Sequence, residues 1–334
     1  MIQEMNKFIV SPSPHVFTDQ SVPKLMYGVI ISLLPALAVS VWFFGIGMIV
    51  VSAVSVASCI LFEYLIQRYM MKVKPTHLDG SAVLTGLLLA FCLPSNLPFW
   101  IVMIGALAAV GIGKMTFGGL GNNIFNPALV GRVFLFISFP VAMTAWPEVG
   151  QWMKYTDAVT GATPLGMMKE GLAFNTVGEI MPEIPSFLNL LTGKMMGSSG
   201  EVSALALLAG MLYMMYRKII SWHIPISILL TVFVFTGALW LANPDRFADP
   251  LFHLLTGGLM LGAIYMATDY VTSPMTGKGM IIYGVGIGVV TVLIRTFGAY
   301  PEGVQFAILI FNGFTPLINK FVKPKRFGKE VRRG

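Results

Sequence analysis

Charge is what this chain has least of. Of its 334 residues only 11% are Asp, Glu, Lys or Arg, against 56% hydrophobic, where a soluble domain carries about 25% charged residues. That shortage excludes an ordinary water-soluble enzyme. Cysteine is almost missing too. Cys59 and Cys92 stand alone in apolar runs, so no Cys-x-x-Cys redox or metal pair exists. The four histidines, His15, His77, His223 and His253, have no His-x-x-x-His or His-Glu-x-x-His spacing, which argues against a haem or zinc site built by this chain alone. The amino-terminal stretch, with Glu4, Pro12, Pro14 and Asp19, lacks the basic and apolar regions of a cleaved signal peptide, and none is expected. Gly111-Ile112-Gly113-Lys114 is not a phosphate-binding loop, because Ala108 and Met115 occupy the positions where that loop needs Gly and Ser or Thr. No Gly-x-Ser-x-Gly nucleophile elbow occurs.

What is present is apolar length. Runs near 24–44, 46–66, 80–93, 97–113 and 125–139, then 202–216, 224–241, 251–267, 280–297 and 303–321, read as spans. Ten helices of about 20 residues each account for about 200 residues, which leaves no room for a separate soluble domain. The expected fold is therefore all-α and membrane-embedded, with about ten transmembrane helices. The expected divisions are 1–139 for a tail and five helices, 140–201 for a loop, 202–321 for five more helices, and 322–334 for a basic tail. The third and fifth spans are short and flanked by Gly, Pro or Asn. The 22 methionines read as adaptable packing between helices.

Charge distribution sets the expected orientation. With the amino terminus in the cytoplasm, only Lys154, Lys169, Lys194, Arg246 and Arg295 fall outside. Arg132 falls within a span, and the rest of the 22 basic residues fall inside, a strong positive-inside bias. The net charge of +7 thus reports topology and contact with anionic lipid heads, not nucleic-acid binding. The loop 140–201 is expected on the outer face, where its acids, including Glu148, Asp157 and Glu170, outnumber its lysines.

The two halves echo each other. Leu84-Thr85-Gly86 and Leu255-Thr256-Gly257 each follow an aspartate, Asp79 and Asp249. Ile124-Phe125-Asn126-Pro127 is answered by Ile310-Phe311-Asn312, with Pro316 nearby. An odd number of spans per half makes the halves inverted, and such folds place sites at the repeat interface beside broken helices. Two polar stretches mark that interface: Gly118-Gly119-Leu120-Gly121-Asn122-Asn123-Ile124-Phe125-Asn126-Pro127 and Thr268-Asp269-Tyr270-Val271-Thr272-Ser273-Pro274. They read either as ordinary caps at the membrane surface or as a pocket for an isoalloxazine ring or an ion, with Asn122, Asn126, Asp269 and Thr272 as its polar wall. Arg132 lies inside the following span, where a cation is costly unless paired. It can anchor a phosphate or ribityl group, pair with Asp269, or snorkel to the cytoplasmic face. No mid-span carboxylate announces an ion site, so coupling to ion flow is expected to depend on neighbouring subunits.

The loop holds the most informative segment, Asp157-Ala158-Val159-Thr160-Gly161-Ala162-Thr163-Pro164-Leu165. Its threonine hydroxyls are alcohols able to form phosphoesters when an enzyme delivers an activated nucleotide. Gly161 and Ala162 permit close approach. Pro164 restricts Thr163 to extended conformations, which is expected to hold it outward. Asp157 and Thr160 are placed to hydrogen-bond, or to bind a metal of, the modifying enzyme. Taken alone, these residues describe a modifiable turn.

The segment resembles the flavinylation motif shared by RnfD, a membrane component of the Rnf complex, and the second subunit of the sodium-translocating NADH:quinone reductase. Phe125-Asn126-Pro127-Ala128-Leu129 with Gly131-Arg132, and Ala267-Thr268-Asp269 leading to Thr272-Ser273-Pro274, are similar to that family as well, and the resemblance covers nearly the whole chain. Tyr270 departs from the proline expected there. The resemblance implies flavin mononucleotide (FMN) attached through its phosphate to Thr163, a flavin transferase for maturation, and electron relay coupled to sodium or proton movement. It further implies partners: an NADH-binding subunit, an iron–sulfur subunit that oxidises ferredoxin, two more membrane subunits and a second flavinylated subunit. A second, non-covalent flavin such as riboflavin is expected near Asn122, Asn126 and Asp269. About 23 residues precede the first span, fewer than in the quinone reductase subunit, which favours the Rnf side of the family. Inverted five-span halves also resemble urea channels, so a transporter is the alternative.

Overall fold

The computed structural model describes residues 20–324 except 74, 77 and 202. The expected amino-terminal tail and most of the basic tail fall outside the described residues. The protein is a mostly helical membrane protein. Among the described residues, five helices are long and apolar enough to cross a bilayer: α1 (Val22–Phe44), α2 (Ile46–Met70), α4 (Phe99–Phe117), α11 (His223–Ala242) and α14 (Gly277–Phe297). The shorter apolar helices are α3 (Ser81–Phe91), α5 (Pro127–Ser138) and α10 (Ala204–Tyr216), and α15 (Val304–Phe321) is the last helix among the described residues. Trp42, Leu61, Leu212, Leu230, Leu241 and Phe314 are exposed on this bundle. An apolar exterior of that kind suits lipid rather than water.

Local chemistry sets where the helices start and stop. Ser21 caps α1 and Asn126 caps α5, each with proline in the first turn, where a missing N–H costs nothing. Gly45 joins α1 to α2 at φ 60°, a left-handed conformation that favours glycine. There Ile46 N–H donates to the Trp152 carbonyl at 2.9 Å, so the loop docks on that corner.

One expected span is not a single helix. The run 251–267 divides into α12 (Pro250–Leu255) and α13 (Leu259–Leu261), which passes into one wide turn, Gly262–Met266. The break is Thr256-Gly257-Gly258, with Gly257 at φ 65°; paired glycines end a helix that hydropathy alone reads as continuous. A similar wide turn, Ala108–Ile112, interrupts α4. Packing follows a regular order: α2 lies against α3 and α4, α11 against α12 and α14, α4 against α5, α14 against α15, and α1 against α10.

The segment 140–201 is not an unstructured loop. It contains α6 (Pro140–Thr144), α7 (Pro164–Gly171), α8 (Val177–Ile180) and α9 (Phe187–Thr192). Strands β1 (Trp146–Pro147) and β2 (Thr160–Gly161) pair antiparallel, with Trp146 opposite Gly161. Leu165, Met168, Val177, Ile180 and Leu190 form a small core with Ala248 and Phe252, fastening the segment to α12.

Candidate functional site

Thr163 is held at both ends of a short rigid unit. The β1–β2 ladder fixes Thr160 and Gly161 just before it, and α7 begins just after it. Thr163 sits at φ −67°, ψ 154°, the extended conformation that a following proline requires. Its hydroxyl accepts the Gly166 N–H at 3.0 Å, the bond of an N-cap. At the far end of α7, the Lys169 ammonium donates to the carbonyls of Tyr300 at 2.7 Å and Arg295 at 3.2 Å. A cation there satisfies the last carbonyls of α14 and complements its dipole. Burial pushes the Lys169 amine below its ordinary pKa.

Thr163 does not point outward. It is 5% exposed and faces an open cavity of about 400 Å³ lined by Phe136, Trp146, Tyr300 and Glu302. The β1–β2 pairing turns the chain inward there, whereas Asp157, Thr160 and Ala162 remain exposed and Gly161 half-buried. Phe136 and Tyr300 meet edge to face with ring centroids 5.2 Å apart. The cavity lies in the range of roughly 300–1,000 Å³ typical of ligand pockets. An oxygen on Thr163 lies at the start of α7, where helix N–H groups and dipole favour a phosphate. Hydroxyl, helix terminus and aromatic walls together fit a flavin phosphoester.

Behind this cavity lies a charged cluster. Arg132 neither pairs with Asp269 nor snorkels; its guanidinium donates to Glu302 and to the Cys92 carbonyl and lies 6.0 Å from the centre of the Trp146 ring. A salt bridge to a buried carboxylate supplies the partner that a cation inside a span needs. Glu201, also buried, adjoins Glu302. Burial and the Glu302 charge hold the Glu201 carboxyl well above the usual carboxylate range.

The second polar region gathers only part of the expected set. Asn126 and Asp269 line one cavity together with Asn123, Ser81 and Lys114. Asn122 is exposed, Thr272 reaches Asp269 at 3.3 Å from outside the cavity wall, and Arg132 belongs to the other cluster. Asn126 donates to the Met266 carbonyl at 3.2 Å. With its amide turned to satisfy both sides, Asn312 accepts the Asn126 N–H at 3.1 Å, so the two echoing asparagines meet. Tyr270, where proline was expected, sends its hydroxyl to the Ile219 carbonyl. At about 80 Å³ the cavity does not fit a flavin as it stands, being well below ordinary ligand pockets.

Sequence reading missed the ion pair that borders this cavity. Lys114, placed by charge counting in a cytoplasmic connection, is buried, with its ammonium 2.6 Å from Glu63 and 2.7 Å from the Ser81 hydroxyl. Gln67 completes the network, donating to Glu63 at 3.3 Å and to Thr76 at 2.9 Å. The available signal was Glu63 itself, an acid inside an apolar run, which calls for a named partner. Glu201 and Glu302 gave no such signal, because both read as loop acids.

The chain is 44% identical to the D subunit of the proton-translocating ferredoxin:NAD(+) oxidoreductase complex of Clostridium ljungdahlii, over 97% of each chain. It is 45% identical to the D subunit of the Na(+)-translocating ferredoxin:NAD(+) oxidoreductase complex of Acetobacterium woodii, over 98% of this chain and 97% of that one. It is 37% identical to the D subunit of the ion-translocating oxidoreductase complex of Cronobacter sakazakii, over 96% and 99%. Residues 9–328 match one family throughout, and the chain belongs to the NQR2, RnfD, RnfE family.

Proposed function

We propose that this chain is the RnfD component of an Rnf-type complex, a membrane electron carrier that works between reduced ferredoxin and NAD while sodium ions or protons cross the membrane. The observation that carries this reading is Thr163: the last threonine of Thr-Gly-Ala-Thr, at the start of α7, facing a cavity walled by aromatic rings. Identity of 44% and 45% to two such proteins over nearly full length supports it. FMN esterified to Thr163 would supply one- and two-electron chemistry. The chain's own residues do the rest. The Gly166 N–H of α7 meets the Thr163 oxygen that the ester would use, and Pro164 has no N–H to leave unpaired there. Trp146, Phe136 and Tyr300 line the cavity with aromatic rings. Lys169 holds α7 against the end of α14.

The remaining architecture belongs to the same proposal. The two sets of helices, 1–139 and 202–321, are inverted halves of five spans each, with the 140–201 segment on the outer face and both termini in the cytoplasm. The packing pairs support this, since α2 on α3 and α4 has its counterpart in α11 on α12 and α14. Partners are an NADH-binding subunit, a ferredoxin-oxidising iron–sulfur subunit, two membrane subunits, a second flavinylated subunit and a flavin transferase. A second, non-covalent flavin is a subsidiary reading that requires the cavity near Asn126 and Asp269 to widen.

Denaturing-gel fluorescence tests the proposal. Chain expressed with a flavin transferase should carry flavin fluorescence that migrates with it and disappears in Thr163→Val. No fluorescence on the wild-type band sinks the carrier reading in favour of a channel. Solvent extraction of the same preparation tests the second flavin, which fails if nothing is released.

A further inference from the structure

We propose that the buried carboxyls of Glu201 and Glu302 form a proton-binding site, holding one proton between them while Arg132 balances the remaining charge. Glu201 is 5% exposed and Glu302 7%, so neither charge is solvated by bulk water. Among the described residues, Arg132 is the one cation in direct contact, and it bonds Glu302. One oxygen of Glu201 accepts the Ser198 hydroxyl at 2.8 Å. Its other oxygen, Oε2, is fully buried and has no donor, yet it belongs to a carboxyl within hydrogen-bonding reach of Glu302. Two carboxylates have acceptors only, so a bond between them requires a proton on one. Like charges at such range do not both ionise in a buried site. A proton placed on Glu201 supplies the donor that a bond to Glu302 requires and leaves a single anion bonded to Arg132.

The surrounding groups favour a proton over a metal ion. The Arg132 guanidinium already occupies Glu302, so a metal ion there would meet a positive neighbour. Arg295 acts on the pair from α14, but its own N–H groups go to the carbonyls of His253 at 2.7 Å and Thr256 at 3.0 Å. Cys92 faces the cluster from the end of α3 as a buried thiol. The chain around Glu201 is firmly threaded. Gly200 N–H donates to the Phe91 carbonyl at 2.7 Å and Ser40 donates to the Ser199 carbonyl at 2.6 Å. A Cβ on Gly200 would strike Leu261 and the Phe91 backbone, so the chain next to Glu201 is closely packed.

The site has an outlet. Glu302 also lines the Thr163 cavity, so negative charge arriving there would tighten the hold on the proton. That extension rests on the flavin reading above; the proton itself does not.

Infrared spectroscopy of the full chain, purified in the Thr163→Val background so that no covalent flavin takes part, tests the inference. At neutral pH the spectrum should contain a protonated-carboxyl C=O stretch that shifts in D2O. Glu201→Gln should remove intensity equivalent to one carboxyl. Glu302→Gln should remove it as well, because Glu201 then becomes the carboxylate partner of Arg132. Glu201→Asp should keep a protonated carboxyl, which separates loss of the proton from loss of fold. A band unchanged in both Gln variants, or one abolished by added NaCl at fixed pH, overturns the proposal, the latter result in favour of a sodium site.

Discussion

Two buried ionic clusters lie at opposite ends of α3, about 16 Å apart along a helix that rises 1.5 Å per residue, and they are built on different plans. At the start of α3, Lys114 bonds the Glu63 carboxylate and the Ser81 hydroxyl, and Gln67 bonds Glu63 and Thr76. At its end, Arg132 faces two carboxyls, Glu302 and Glu201, and one oxygen is left without a donor. A balanced, satisfied pair is a fixed fastening between α2, α3 and α4. The second cluster has a carboxyl oxygen open to a proton, and it borders the cavity that holds Thr163. The difference separates a structural charge from a working one.

The largest effect is expected where the balance is most complete. Lys114→Met leaves Glu63 charged and buried, and breaking such a pair costs about 3–5 kcal/mol. The double variant Lys114→Met/Glu63→Gln should recover most of that loss, since removing both charges also removes their desolvation cost. Thermal midpoints of the purified protein measure both. A single variant as stable as the double would mean that Lys114 and Glu63 are not a matched pair.

A smaller effect, opposite in kind, is expected at the unbalanced cluster. The folded state raises the Glu201 carboxyl above its ordinary value of 4.5, so the folded chain binds that proton more tightly than the unfolded chain does. The resulting stability is complete below the ordinary carboxylate range and is lost as pH rises through the raised, folded-state value. Glu201→Gln, a neutral isostere of the protonated form, should flatten this decline. Unfolding midpoints taken from mildly acidic to alkaline buffer check it; parallel curves for the two proteins would contradict the shared proton.

Much of this organisation was legible in the sequence where chemistry is local. Asn126-Pro127 announced a capped helix start and is one; Pro164 announced an extended Thr163 and gives one. Both features depend on neighbours in the chain. What depended on distant partners was not legible. Arg132 finds Glu302 across 170 residues and Lys114 finds Glu63 across 51, and no local pattern names such partners. Thr163 read as outward because a polar threonine before proline suits a surface turn, yet the ladder with Trp146 turns it towards a cavity. The break inside 251–267 was hidden by hydropathy, since Thr256-Gly257-Gly258 scarcely lowers an apolar average although it ends α12.

The reading of Thr163 as the flavin-bearing residue has one direct test. Trypsin cuts after Lys154 and Lys169, releasing a peptide that contains Thr156, Thr160 and Thr163 together. Tandem mass spectrometry of that peptide, from chain matured with a flavin transferase, should find the mass of an FMN phosphoester on fragments that include Thr163 and on none that end at Thr160. An unmodified peptide, or a modification assigned to Thr156 or Thr160, would contradict the account.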